Sequence, residues 1–238
     1  TKGMLVPRMT TAQRSAIATP VRGLLVFDNT TNTFWFYNGT VWTELTTGGS
    51  TGWSLTGNSG TNPATHFIGT TDNNDVIFKR NNTRAGLIGI TNTSYGINAL
   101  NAASTGINNT ANGYQSLFSN TTGGANSSNG RDALFSNTTG SSNTANGYQA
   151  LYANTFGTNN TANGSVSLRF NTTGDFNTAN GVGALFSNTS GDDNTANGYL
   201  ALYSNTSGIH NTANGREALY SNTTGTGNTA NGSNALYN

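Results

Sequence analysis

The 238-residue chain has no cysteine, three prolines and few charges, ten basic against nine acidic residues. Each shortage excludes something. Without cysteine there is no disulfide, thiolate metal site or cysteine nucleophile. A net charge of +1 with no Lys/Arg cluster releases few counterions, so nucleic-acid binding has no electrostatic footing. No stretch approaches 18 apolar residues, so no membrane insertion is expected, and Thr1–Met4 opens no signal-peptide core. The absent initiator Met and an array that stops mid-repeat read as a piece of a longer protein. What is abundant is Asn (39), Thr (41) and Gly (31), nearly half the chain. These types favour turns, caps and short strands, which excludes a mostly helical fold. Disorder of the highly charged kind is disfavoured by the low net charge and 10% aromatics.

A repeat organises the chain. The pentapeptide Asn-Thr-Ala-Asn-Gly begins at 109, 143, 160, 177, 194, 211 and 228, and looser copies begin at Asn92 and Asn126. Every interval is 17 residues or twice that, so 92–238 holds nine repeats, the last incomplete. Unit position 9 is always Leu: Leu100, Leu117, Leu134, Leu151, Leu168, Leu185, Leu202, Leu219 and Leu236. Position 8 is Ala or Ser, and Gly holds positions 5 and 15. Position 10 is aromatic in seven copies, Phe118, Phe135, Tyr152, Phe186, Tyr203, Tyr220 and Tyr237, and departs at Asn101 and Arg169. Positions 6, 7, 16 and 17 vary.

Two short segments, Thr-Ala-Asn and Ala-Leu-Tyr, are separated by Gly turns in which Gly supplies positive φ. Three-residue strands are too short for a hairpin sheet but suit one rung of a β-solenoid, stacked at about 4.8 Å. Alternation puts positions 3 and 9 inside and positions 2, 4, 8 and 10 outside. The position-4 Asn ladder could also be internal, amide on amide. An Ala/Leu core one residue wide is thin against an ordering cost on the order of 1 kcal/mol per residue. The seven aromatics would form a large exposed apolar patch on a monomer. They are therefore expected as the interface of a homotrimer, around the core ladder of leucines.

Units of this form resemble the head repeats of trimeric autotransporter adhesins. They resemble still more the repeats in tail-fibre proteins of phages, prophages and contractile injection systems of Bacteroidetes type. The resemblance implies a left-handed β-roll that trimerises. It departs at position 4, where such repeats carry Ile, Val or Leu and this chain carries Asn in eight of nine copies.

Residues 1–45 differ in composition. Thr10 and Gln13 form a capping-box pattern, so a short helix is expected over 11–18, ending before Pro20. Segments 23–28, 33–37 and 40–45 read as a β-meander, with turns at 29–32 and at Asn38-Gly39. This module resembles one found in Bacteroidetes fibre and surface proteins. Residues 46–63 read as a Gly/Ser/Thr linker. Residues 64–91 read as strands 65–69, 75–79 and 85–90 that cap the first rung, with turns at 72–74 and 81–82.

Chemistry is sparse. His66 and His210 have no partner at ligand spacing, and neither a metal nor a cofactor is expected. Asp192-Asp193 sits on a variable turn, and Asn-Thr-Thr and Asn-Thr-Ser at position 12 match glycosylation sequons that turn chemistry explains equally well. Trp35, Tyr37 and Trp42 could stack on a sugar. The expected protein is all-β: a 17-residue-repeat β-solenoid with a small N-terminal meander and short helix, homotrimeric and not an enzyme. It would act as a tail fibre or surface adhesin outside the cell or on a tail particle, meeting a cell-surface receptor, with a glycan among the candidates. Two alternatives are an ice-binding solenoid using an outward Thr/Asn array and a carbohydrate-binding surface module.

Overall fold

A computed structural model describes residues 5–45, 62 and 67–238, and the chain divides into two compact units, Thr1–Ile68 and Gly69–Asn238. The linker expected over 46–63 lies, apart from Asn62, outside the described residues, as does His66.

The described residues of the first unit form a four-stranded sheet in the order β1-β2-β3-β4, made of β1 (Arg8–Met9), β2 (Leu25–Asp28), β3 (Thr33–Tyr37) and β4 (Trp42–Leu45). The meander is the expected one. The chain before it adds β1, parallel to β2. Helix α1 (Thr11–Ser15) starts at a capping box in which the Gln13 amide donates to Thr10 Oγ1 and the Thr10 amide donates to Gln13 Oε1. It ends at Ala16, sooner than the 11–18 expected from the sequence. Asn38-Gly39 does not close a two-residue hairpin: the loop spans 38–41, and Asn38 Oδ1 accepts from the Thr40 and Val41 amides. That side chain takes over the turn, as Asn commonly does.

The second unit is an all-β solenoid. Nine three-residue strands, β7 (Thr93–Tyr95), β8 (Thr110–Asn112), β9 (Ser127–Asn129), β10 (Thr144–Asn146), β11 (Thr161–Asn163), β12 (Thr178–Asn180), β13 (Thr195–Asn197), β14 (Thr212–Asn214) and β15 (Thr229–Asn231), pair parallel and in register. Each position meets its own equivalent 17 residues away, so nine rungs extend about 40 Å at the usual strand spacing. The hairpin β5 (Val76–Arg80) and β6 (Thr83–Ile88) turns through Asn81-Asn82, both at positive φ, and β6 pairs antiparallel to β7. It closes the sheet edge of the first rung, as a cap must. These strands lie within two residues of the segments 75–79 and 85–90. No strand is found over the described 67–69, and 65–66 lie outside the described residues.

The second half of each unit corrects the sequence reading. Ala-Leu-Tyr is no strand: in the seven copies that begin at 109 to 211, positions 6–11 form consecutive turns, and the Leu at position 9 has positive φ in all nine copies, between +48° and +53°. A left-handed Leu costs roughly 1–2 kcal/mol, and burying its side chain returns about 1.5–3 kcal/mol. The twist also breaks the alternation. Position 8 therefore points inward beside position 9: Ala133, Ala150, Ala184 and Ala201 are fully buried, as are Ser116 and Ser167. Where Ser replaces Ala the hydroxyl finds a partner. Ser116 Oγ lies 2.7 Å from Ser128 Oγ, and Ser167 Oγ donates to the Gly164 carbonyl.

The rest of the interior is amide. Asn at position 12 donates through Nδ2 to the Oδ1 of the Asn one rung earlier, at 2.8–2.9 Å, and to the Gly carbonyl of its own position 15. Asn at position 1 donates to that same carbonyl from the other side, closing the coil, and its Oδ1 accepts the backbone amide of the next position-1 Asn. Buried polar groups satisfied along a ladder cost little, and here they widen the thin Ala/Leu core. The same ladder explains Gly at position 15. Its φ is not positive, contrary to expectation; a Cβ on Gly157 would instead meet the Gly174 carbonyl at 2.5 Å and the Asn171 Nδ2 at 2.8 Å. Position 5 does need the left-handed side, with φ from +121° to +148°.

Candidate interaction surfaces

The core leucines all lie on the inner axis. Leu117 to Leu202 are fully buried, and only Leu236, in the last rung, is exposed. Outside, the position-4 Asn side chains face outward. Seven amide-to-amide bonds of 2.8–2.9 Å run from Asn112 to Asn231, each donating toward the following rung. The buried position-12 ladder donates the opposite way, toward the preceding rung, so the two rows of amide dipoles oppose. The Thr at position 2 lies beside this outer ladder and is half-buried in most rungs. Five of the six sequons at position 12 are internal, with Asn120, Asn137, Asn171, Asn188 and Asn205 fully buried; Asn222 is half-buried, and its amide is taken up by Asn205 Oδ1 and the Gly225 carbonyl.

The seven position-10 aromatics form one column. Phe118, Phe135 and Tyr152 stack face to face at 5.2–5.3 Å, and Phe186, Tyr203, Tyr220 and Tyr237 at 4.9–5.2 Å, close to the rung spacing. Arg169 fills the gap between the two stacks, its guanidinium 5.9 Å from the Tyr152 centroid and 5.8 Å from that of Phe186. A cation between two π-faces continues the column where the aromatic is missing. Stacked on its own neighbours, the column is half-buried along most of its length; Phe118 and Tyr237, at its two ends, are the exposed members. Position 6 carries a second, exposed set, Tyr114, Tyr148 and Tyr199, with Arg131 and Arg216 over Tyr114 and Tyr199.

In the first unit, register separates two faces. One carries Val26, Asp28, Trp35, Tyr37 and Trp42, and it is the face α1 covers. Asp28 is fully buried: its carboxylate accepts from Thr11 Oγ1 at 2.8 Å and from the Thr30 and Thr31 amides, and it pairs with Arg14 Nε at 3.0 Å. The Arg14 guanidinium lies 3.5 Å from the Trp35 ring centroid. Trp35 Nε1 donates to Thr33 Oγ1, the Tyr37 hydroxyl donates to the Thr40 carbonyl, and Tyr37 packs edge-on to Trp42. The three aromatics considered for sugar stacking are thus engaged within the unit.

The Arg14–Asp28 network makes the unit acid-sensitive. Burial opposes ionisation of Asp28, but the Thr11 hydroxyl, the Thr30 and Thr31 amides and Arg14 outweigh it and hold the carboxyl below its ordinary range. Unfolded, this group takes its proton near pH 4, at about 3.9. Its stabilisation is therefore complete above that pH and drains as the pH falls through the lower folded value. Lowering the pH from about 5 to about 2 should shift tryptophan emission as this unit loosens. The far-UV dichroism of the solenoid, whose ladder groups are amides, should hold through the same range. Asp28→Asn should lower stability at neutral pH and flatten the acid transition.

The opposite face of the sheet carries two rows: Arg8, Phe27, Phe34 and Leu45 in one, Leu25, Phe36 and Thr43 in the other. Phe27 and Phe34 meet edge to face at 5.0 Å, with Arg8 over Phe27 at 5.1 Å. Phe34 is 44% and Leu45 50% exposed.

Among the described residues no group of three or more His, Cys, Asp or Glu is placed to hold a metal, and no helix is long and apolar enough to cross a membrane. His210 sits 3.7 Å from Asp193 on an exposed turn. Residues 1–62 match the family model described as a phage tail like trimerisation region, about a quarter of the chain. No curated protein and no solved structure matches.

Proposed function

We propose that this chain is a structural segment of a phage-tail-like fibre, in which three copies associate through the first unit and the solenoid serves as shaft. The match of residues 1–62 to a trimerisation region, in a chain whose remainder is an in-register solenoid, carries the reading. The role is mechanical and presentational, without catalysis, outside the cell or on a tail particle. The interior ladders hold the shaft, and the position-10 column is its interchain contact. Variable residues at positions 6 and 16, such as Tyr114, Arg131, Tyr148 and Ile209, face outward toward a cell-surface receptor, with a glycan as one candidate. Three copies of a weak site would gain avidity from being joined.

Sedimentation equilibrium of the full chain tests this. A mass three times 24.7 kDa is expected, and a mass of one chain across the micromolar range would overturn it. A second reading, an ice-binding face, is favoured by the outward Thr/Asn rows at regular rung spacing. It requires that face to stay open. Inhibition of ice recrystallisation by a single-chain species would carry it over the fibre reading.

A further inference from the structure

We infer that the uncovered face of the N-terminal sheet, centred on Phe34 and Phe36 with Leu25, Phe27 and Leu45, is the surface through which the first units of three copies of this chain meet. The inference rests on the trimeric reading above and assigns it to particular side chains. Three observations converge on it. The sheet has one face sealed by α1, where Val26 and Asp28 are fully buried, and an opposite face whose Phe34 and Leu45 remain about half exposed. A sheet with one covered and one apolar open face must bury the second against something.

The chemistry of the open face selects the occupant. Among the described residues this face carries no carboxylate, and its one charge, Arg8, sits on the edge strand over Phe27. Phe34, Phe36 and Leu25 lie on the two inner strands, β2 and β3. That is an apolar centre with a cationic margin on one side. Around a threefold axis the inner-strand aromatics would converge, and Arg8 would stay at the rim, where like charges remain hydrated and apart. A second copy is also the occupant that the matched family description calls for across these residues. The aromatics considered for sugar stacking are engaged on the other face, Trp35 and Trp42 under Arg14 and Tyr37 against Trp42, which leaves the phenylalanine face for association.

The absence of cysteine makes the test direct, because one introduced thiol reports alone. Full-length Phe34→Cys and Leu45→Cys chains would be treated with a short bis-maleimide and run under denaturing conditions beside Val41→Cys. Val41 is 56% exposed on the β3–β4 loop, off the proposed face. Most of the Phe34→Cys or Leu45→Cys protein is expected as linked chain pairs, with little from Val41→Cys. Sedimentation of unmodified chain runs alongside. A trimer in which Phe34→Cys and Leu45→Cys stay unlinked, or link no better than Val41→Cys, overturns the face and leaves the trimeric reading standing. A single-chain mass overturns both. Phe34→Glu with Leu45→Glu, both in a Trp53→Phe background so that emission comes from Trp35 and Trp42 of the sealed face, gives a second readout: association should weaken at least tenfold while that emission stays unchanged. Unchanged association in that variant counts against the face.

Discussion

Gly147→Ala is expected to break the solenoid locally, with a loss of several kcal/mol. Gly147 has φ +143°, a region almost reserved for glycine, where another residue costs on the order of 1–3 kcal/mol. A Cβ there would also stand 2.5 Å from the Gly164 carbonyl oxygen and 2.6 Å from its carbon, both backbone atoms of the next rung. Neither can move alone, because the Gly164 amide is held by the Asn146 carbonyl and the strands on either side are in register. The rungs starting at Asn143 and Asn160 must therefore part. Since each rung touches only its neighbours, the opening should stay local at first. Hydrogen exchange should show lost protection around 144–147 and 161–164, with distant rungs protected. Thr139→Ala, at an exposed turn, should stay within about 0.5 kcal/mol of the parent.

Asn154→Asp is expected to be comparably severe, and to reverse the usual effect of acid. Asn154 Nδ2 donates to Asn137 Oδ1 at 2.8 Å and to the Gly157 carbonyl at 3.0 Å, while its Oδ1 accepts from Asn171 Nδ2. A carboxylate would keep only the last of these and would face two acceptor oxygens in a fully buried site. An uncompensated buried charge costs roughly 3–5 kcal/mol. Protonation relieves it, because the acid can donate once, so the introduced carboxyl should titrate above its unfolded value. Stability of the variant should then rise as the pH falls through that raised value and be lowest at neutral pH. Melting temperature against pH checks the sign, which is opposite to that expected for the first unit. A variant equally stable at pH 4 and pH 7 would argue against a buried ladder.

What could be read from the residues was whatever follows from spacing and turn chemistry. The 17-residue period, the leucines on the axis, the capping box at Thr10 and the meander strands all have local signatures. The position-8 side chains did not, because alternation presumes a strand, and nothing about Leu announces a left-handed φ. The amide interior was hidden for a different reason. Asn at positions 1 and 12 looks like turn punctuation in one unit, and becomes core only when stacking sets each amide one rung from the next. Period-two alternation along β3 puts Phe34 and Phe36 on one face and Trp35 and Tyr37 on the other. Which one α1 would seal depended on the Arg14–Asp28 pair, two residues that lie on different elements and follow no motif.

The uniform register has a consequence for how such a chain can change. Strand pairing, both buried Asn ladders and the outer one join residues exactly one unit apart in sequence, such as Asn137 with Asn154 and Asn146 with Asn163. Removing or duplicating 17 residues would hand every donor an equivalent acceptor and alter only length, by about 4.8 Å. Losing a single residue inside a unit would instead set Asn against Thr and Leu against an aromatic in that rung. The protein thus has a frame of its own, indifferent to whole-unit gains and losses and intolerant of fractions, so lineages of such shafts should differ in length by multiples of one rung.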